Sequence, residues 1–169
     1  MQRMTLSKII SGGQTGVDRG ALDAALDNHF PCGGWCPAGR AAEDGPIPAR
    51  YPLIELPEGG YRERTLKNVE DSDATAIIYF GELEGGTEQT LLHCLRRKKP
   101  YKLIDATEVM ASRAATLIVE FIADHGVISL NVAGPRLSKA PQAHTYAYEC
   151  VTNLLRQQTP SADAPQRPG

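Results

Sequence analysis

The sequence lacks the features that mark a membrane protein. Its 169 residues contain no apolar run near the roughly 20 residues that a bilayer-spanning helix needs. The amino terminus carries Arg3 and Lys8 but no apolar targeting segment. We therefore expect a cytoplasmic protein that has no membrane partner.

Excess charge and paired cysteines are also missing. The formal net charge is −2, which argues against electrostatic capture of nucleic acid. Cys32 and Cys36 are separated by three residues, and no second Cys or His pair lies at zinc-ligand spacing. We expect four free thiols, with Cys94 and Cys150 buried on helices, and no metal held by the protein.

What the chain does have is a regular alternation of short β-branched runs and helix-period segments. This alternation predicts an α/β fold with a mostly parallel sheet and helices on both faces. We expect one ligand-binding domain over 1–158 and a disordered tail over 159–169, because the tail is polar and holds three prolines. The predicted strands are 8–10, 33–36, 53–56, 74–80, 101–104 and 127–132.

The helices are predicted from apolar spacing and end signals. The first follows Gly16, and its small residues, including Gly20, suggest close packing against the sheet. The others are predicted at 61–71, with Leu66 and Val69 inward; at 87–99, capped by Thr87; from a cap at Thr107 to Gly126; and at 141–157. In the third helix Leu91, Leu92 and Leu95 are expected in the core.

Two glycine-rich turns lead from a predicted strand into a helix. The carboxyl ends of parallel strands meet at one sheet edge, where ligands bind, and helix starts there attract anions. The turns therefore predict a paired cradle for a phosphate, although a plain turn and cap could explain each one. The first turn is not the Gly-x-Gly-x-x-Gly pattern of dinucleotide binding, and it lacks the Gly-Lys-Ser/Thr of a P-loop. The cradle residues are Gly12, Gly13, Gln14, Thr15 and Gly16 in the first turn, and Gly85, Gly86 and Thr87 in the second.

Charged and aromatic residues near this edge complete the predicted site. Arg19, Arg40 and Arg136 suit phosphate recognition, and Arg136 is the best candidate because it follows the last strand directly. Trp35 could stack on a flat ring or belong to the core. The acids Glu43 and Asp44, with Asp18 and Glu88, could orient water, accept hydrogen bonds or bind magnesium through a phosphate. No nucleophile–base pair can be assigned, so catalytic residues are unassigned and the four histidines are given structural roles.

At these residues the chain resembles the molybdenum carrier (molybdenum-cofactor carrier) family. The similarity runs from about Lys8 to Leu155. It is carried by 11–21 (SGGQTGVDRGA), 34–40 (GWCPAGR), 43–45 (EDG), 71–75 (DSDAT), 85–87 (GGT) and 131–136 (NVAGPR).

The resemblance implies a Rossmann-like fold, shared with the lonely-guy-type phosphoribohydrolases and DprA-like proteins. It also implies a cytoplasmic homo-oligomer, a dimer or tetramer, that holds the molybdenum cofactor, a pterin with a terminal phosphate. Molybdoenzymes or cofactor-synthesis enzymes would then be its partners. Thr90 stands where the phosphoribohydrolases have a catalytic Glu, so that reaction is not expected. The leading hypothesis is a non-catalytic carrier, and the alternative is an enzyme or sensor acting on a nucleotide-derived phosphorylated ligand.

Overall fold

The computed structural model describes residues 5–158, so the predicted tail over 159–169 lies outside the described residues. The strands are β1 (Lys8–Ile10), β2 (Cys32–Gly33), β3 (Trp35–Cys36), β4 (Ala41–Ala42), β5 (Gly45–Pro46), β6 (Ile54–Glu55), β7 (Ala74–Tyr79), β8 (Tyr101–Asp105) and β9 (Ser129–Ala133). The helices are α1 (Val17–Asp27), α2 (Tyr61–Asp71), α3 (Gly85–Arg97), α4 (Ala111–His125) and α5 (Ala143–Gln158). A single 3-10 turn spans Ala38–Arg40.

Five strands form one parallel sheet in the order β2-β1-β9-β7-β8. Ile9 lies opposite Leu130 in the β1–β9 pair, and Ile77 lies opposite Ala133 in the β7–β9 pair. Residues 74–78 are all buried, as expected for a central parallel strand covered on both faces. The predicted α/β class with a mostly parallel sheet is confirmed. Among residues 5–158, no helix combines the length and the apolar character that crossing a membrane requires.

The helices divide between the two faces of this sheet. α1, α4 and α5 pack together around the larger apolar core, which contains Val17, Ile118 and Leu154. α2 packs on α3 around a second cluster of Val69, Ile77 and Cys94. Although β7 and β9 are neighbours, α3 follows β7 on one face and α5 follows β9 on the other. A crevice opens where successive helices change sides, at the carboxyl ends of the two strands.

The segment between α1 and α2 departs from the predicted pattern. The expected strand over 33–36 is wrong, because Gly34 divides it: β2 pairs with β1, and β3 pairs with β6. Gly34 has φ 138, and a Cβ there would lie 2.2 Å from the carbonyl oxygen of Ser11. Only a glycine lets the chain leave the main sheet at this point. The strand expected over 53–56 shortens to Ile54–Glu55.

Two predicted helix caps are wrong. α3 begins at Gly85 with Glu84 as its N-cap, so Thr87 lies inside the first turn. α4 begins at Ala111 after Met110, whereas the hydroxyl of Thr107 donates to Asp105 at 2.6 Å. That local hydrogen bond forms a turn between β8 and α4 and competes with a capping role for Thr107.

Three packing predictions have mixed outcomes. Leu95 was expected in the core, but it is 51 % exposed at the carboxyl end of α3. Gly20 packs closely against α5, where a Cβ would lie 2.5 Å from the carbonyl oxygen of His144, rather than against the sheet. The cysteine prediction is confirmed, since all four thiols are free and Cys94 and Cys150 are buried.

Candidate functional site

A cleft of about 700 Å³ opens at the carboxyl ends of β7 and β9. Tyr79, the last residue of β7, and Asn131, in the middle of β9, contribute to its floor. One side is formed by α2 and the start of α3, and the other by residues 132–136 with Lys139 and Ala140. Asn131 is only 3 % exposed, and its amide donates to the Thr75 hydroxyl of the neighbouring β7 at 3.3 Å. The cleft therefore lies where the helices that follow β7 and β9 pack on opposite faces of the sheet.

The start of α3 presents unused hydrogen-bond donors to this cleft. The backbone N–H groups of Gly85, Gly86 and Thr87 donate to no other residue within 5–158. A Cβ at Gly85 or Gly86 would meet nothing within 4 Å, which shows open space above the first turn. Thr87 is 7 % exposed and lines the cleft, and its hydroxyl has no partner in the described part of the chain. Free amides and the helix dipole make this turn suited to an anion.

The loop between β9 and α5 brings two cations to the opposite side. Arg136 and Lys139 line the cleft, and the Arg136 side chain is 40 % exposed. The cleft is not uniformly basic, because Glu82, Glu84 and Glu88 also line it. An anion at the start of α3 would therefore depend on directed hydrogen bonds more than on a general positive field.

A buried ion pair that the sequence reasoning missed lines the same cleft. Arg64 of α2 donates to Asp18 of α1 at 3.1 Å, and their side chains are each 10 % exposed. Burial raises the pKa of Asp18, and the charge of Arg64 with a backbone hydrogen bond from Gln14 opposes that rise. The Arg64 Nη2 atom has no hydrogen-bond partner among the described residues. The guanidinium therefore keeps a donor that can serve a ligand.

Arg64 is close to Gly12, which explains why the first turn begins with that residue. A Cβ at Gly12 would lie 2.1 Å from Arg64 Nη1 and 2.5 Å from its Cδ. The sequence did contain a signal for a buried role of Arg64. Arg64 and Asn68 lie one helical turn apart beside the buried Val69, so they share the inward face of α2. The inward face of α2 was predicted from the apolar residues Leu66 and Val69 alone, so the polar pair Arg64 and Asn68 was missed.

Most of the first glycine turn is occupied by contacts within the protein. The N–H of Gln14 donates to Asp18 at 3.2 Å, and the N–H of Thr15 donates to the Gln14 side chain at 3.0 Å. At Gly16 a Cβ would lie 2.4 Å from the carbonyl oxygen of Pro135, so this glycine accommodates the neighbouring loop. Gly12 and Gln14 line the cleft, whereas Gly13, Thr15 and Gly16 are not among its lining residues.

Four other charged residues of the predicted site are engaged by contacts within the protein. Arg19 pairs with Asp44 and also donates to the carbonyl of Gly13 at 3.0 Å. The hydrogen bonds from Arg19 lower the pKa of Asp44. Arg40 donates to four backbone carbonyls, those of Ile47, Pro48, Tyr51 and Leu53, and so organises its own loop. Glu43 is hydrogen-bonded to Thr15 and Ser138.

Trp35 also lies apart from the cleft lining. Its indole N–H donates to Asp71 at 2.6 Å, and the ammonium of Lys67 lies 5.3 Å from the ring centroid. Of the predicted site residues within 5–158, eight line the cleft: Gly12, Gln14, Asp18, Gly85, Gly86, Thr87, Glu88 and Arg136.

Within the described part of the chain, the lining of the cleft includes acids and threonines but no serine, cysteine or histidine. Thr90 lines it and donates its hydroxyl to the carbonyl of Gly86 at 2.9 Å, a contact within α3. Asp18 and Glu88 are the lining acids that the sequence had singled out. Within residues 5–158, no three His, Cys, Asp or Glu side chains are grouped to hold a metal ion.

Comparison with known proteins gives two matches. The chain matches the circularly permutated YpsA SLOG family over residues 9–155. It is also similar to a crystal structure, solved at 1.45 Å, of a provisionally named molybdenum carrier protein from Syntrophus aciditrophicus SB. The two are 44% identical over 90% of this chain and 97% of that chain, with a TM-score of 0.88. No functionally curated protein matches the chain.

Proposed function

Because the chain belongs to the circularly permutated YpsA SLOG family and its resemblance to a molybdenum carrier is confirmed, we propose that it binds and carries the molybdenum cofactor. The observation that supports this most directly is the open first turn of α3 facing Arg136 across the cleft. The phosphate of the cofactor would bind there, at the amides of Gly85, Gly86 and Thr87.

The donor set fits a phosphate well. Three backbone amides and the Thr87 hydroxyl, which has no partner among residues 5–158, lie at one helix start, and a guanidinium can add a fork of two donors. Gly86 and Thr87 of the predicted cradle thus keep their proposed role, while Thr15 and Gly16 would act by shaping the neighbouring loop. The cofactor supplies bound molybdenum, and the contacts proposed for this chain are to its phosphate and ring.

The ring of the cofactor would extend towards the α2 side of the cleft. Arg64 and Asn131 line that part, together with the ring of Tyr61. The free Nη2 of Arg64 can donate to a ring carbonyl, and the adjacent Asp18 carboxylate can accept from a ring N–H. Arg40 and Trp35 are then assigned to support of the surrounding loops rather than to the ring.

A second candidate is an enzyme or sensor for a nucleotide-derived phosphorylated ligand. It is favoured by the position of Asp18, a carboxylate in the cleft that could orient a water molecule. Magnesium could accompany the phosphate in either case. The homo-oligomer, the molybdoenzyme or cofactor-synthesis partners and the cytoplasmic location stay predictions from the sequence.

Thermal unfolding in the presence of candidate ligands tests the proposal. We expect stabilisation by molybdenum cofactor or molybdopterin and none by molybdate, AMP, ATP or NAD. A ligand at about one hundred times its dissociation constant adds about 2.7 kcal/mol, a shift of several degrees. Stabilisation by nucleotides alone would favour the second candidate and would call for a search for turnover.

Substitution of Arg136 then tests the phosphate end. Arg136→Ala should weaken cofactor binding by about 1.5–3 kcal/mol, the loss of a hydrogen bond to a charged group. Arg113→Ala is the matched control, because Arg113 is exposed on α4 and has no ion pair with any described residue. Equal affinities of the two variants in calorimetric titration would remove Arg136 from the site.

A further inference from the structure

Three separate segments of the chain meet at the carboxylate of Glu43. From the turn after β1, the Thr15 hydroxyl donates to it, and the Glu43 N–H donates to the Gln14 side chain at 2.9 Å. From the loop after β9, the N–H and the hydroxyl of Ser138 donate to its two oxygens at 3.1 and 2.5 Å. Arg136 Nε lies 3.5 Å from Glu43 Oε2.

Glu43 is not among the cleft-lining residues, whereas Arg136 and Lys139 of the loop it holds do line the cleft. The loop is fixed a second time through Thr15, whose hydroxyl oxygen accepts the N–H of Leu137 at 3.1 Å. The carboxylate therefore lies behind the loop, and the cations lie in front of it.

The electrostatics of this contact are those of an ionised carboxylate. Partial burial opposes ionisation, but hydrogen bonds from Ser138 and Thr15 and the charge of Arg136 outweigh it and lower the pKa of Glu43. Glu43 thus carries its full charge near neutral pH.

We propose that Glu43 is a positioning residue that sets Arg136 for an anionic ligand group at the start of α3. This inference rests on the proposed function, because it requires an anion in the cleft. It assigns Glu43 a task that differs from direct ligand contact. A carboxylate beside an arginine could otherwise only weaken anion binding, by neutralising the cation. The two roles predict opposite effects of removing the Glu43 charge on anion affinity. A positioning role predicts weaker binding, and a neutralising role predicts tighter binding.

A second carboxylate of the fold provides a matched control. Asp23 of α1 accepts hydrogen bonds from Arg50 at 3.0 Å and from the Tyr51 hydroxyl at 2.7 Å, and His144 Nε2 lies 2.7 Å from its other oxygen. Asp23 thus connects the loop between α1 and α2, which also contains Glu43, to α1 and α5. None of these partners belongs to residues 136–138. Loss of loop order in general would affect both carboxylate variants alike.

The experiment is a double-mutant cycle on binding of molybdenum cofactor, with inorganic phosphate as a ring-free probe. Glu43→Gln should weaken cofactor binding about tenfold in the wild-type background and less than about twofold when Arg136 is already Met. Asp23→Asn should leave both affinities within about twofold of the wild type. Denaturant midpoints of all variants would be measured in parallel, to separate binding from folding.

The outcomes distinguish the two proposals. If the wild type binds neither probe, the proposed function fails and the inference fails with it. If the wild type binds and Glu43→Gln binds equally or more tightly, only the positioning role is overturned. A tenfold loss that persists in the Arg136→Met background, or that Asp23→Asn reproduces, would also overturn it. A loss that disappears with Arg136 supports the inference.

Discussion

At the scale of single residues, Gly12 is the position where a methyl group should change the cleft most. Its Cβ would lie 2.1 Å from Arg64 Nη1, and its φ is outside the left-handed region, so the backbone itself accepts alanine. We expect Gly12→Ala to displace Arg64 from Asp18 and to reduce stability by about 1–3 kcal/mol, because a buried charge loses its partner. Urea unfolding followed by circular dichroism measures this loss.

The control for Gly12 is to remove the side chain with which the methyl group collides. In an Arg64→Ala background there is no guanidinium to displace, so adding Gly12→Ala should cost little further stability. Additive losses in the double variant would contradict the proposed collision. They would indicate instead that Gly12 is needed for the turn itself.

The sequence identified the polar residues that surround the cleft better than it identified their tasks. Arg19 and Arg40 lie in motifs at the predicted sheet edge, yet their donors are used by Asp44 and by backbone carbonyls. An arginine that organises a loop and one that binds a phosphate have the same local sequence signal. The difference lies in the tertiary partners, and these become visible only when the loop between α1 and α2 is placed.

At the scale of elements, the contact between α1 and α5 depends on a glycine in the middle of a helix. A Cβ at Gly20 would lie 2.5 Å from the carbonyl oxygen of His144 and 2.9 Å from the Ala147 Cβ. Alanine would favour an isolated helix by about 0.5–1 kcal/mol, but overpacking costs about 1–3 kcal/mol. We therefore expect Gly20→Ala to destabilise the protein, as measured by the midpoint of urea unfolding.

Gly86→Ala is the matched control for stability at this scale. Gly86 is also helical, and a Cβ there would meet nothing within 4 Å. This variant should be as stable as the wild type or slightly more stable. Equal effects of the two alanines would mean that helix propensity, not the contact with α5, determines the result at Gly20.

The elements themselves were mostly predictable, whereas their ends were not. The apolar run of β7 and the stripes of α4 and α5 identify these elements directly, because burial imposes a period on the sequence. The start of α3 was misplaced, since Thr87 suggested a cap, whereas the helix begins at Gly85 after Glu84, which makes no side-chain capping hydrogen bond. A helix start whose first amides receive no side-chain cap has no local capping signal to predict.

At the scale of the whole molecule, the strand order creates the cleft. β9 is inserted between β1 and β7, so the 134–136 loop comes next to both the first turn and the start of α3. The sequence predicted that these loops share one edge, but it could not order the strands. The pairing of Arg136 with the start of α3 as opposite sides of one cleft therefore required the structure.

Asp73 holds β9 beside β7 at the amino ends of these strands, opposite the cleft. One carboxylate oxygen accepts the N–H groups of Ile128 and Ser129 at 2.9 and 3.0 Å, so Asp73, just before β7, is bonded to the start of β9. Hydrogen bonds from Ser129 and Ile128 lower the pKa of Asp73 from its ordinary value of 3.8. A lowered pKa in the folded state means that ionised Asp73 stabilises the fold above about pH 4 and that this contribution is lost on acidification.

We therefore expect Asp73→Asn to lower stability at pH 6 and to matter progressively less as the pH falls below about 4, where the wild-type carboxylate becomes protonated. Asp18 acts with the opposite sign: because burial raises its pKa, its carboxyl reduces stability as pH rises above 3.8. Urea midpoints of Asp73→Asn and the wild type across pH 2–7 isolate the Asp73 contribution, since Asp18 is present in both.

The control is Asp124→Asn, an exposed change on α4, which should follow the wild-type curve. A loss from Asp73→Asn that is the same at every pH would show that the two N–H contacts matter through shape alone and not through the charge of the carboxylate.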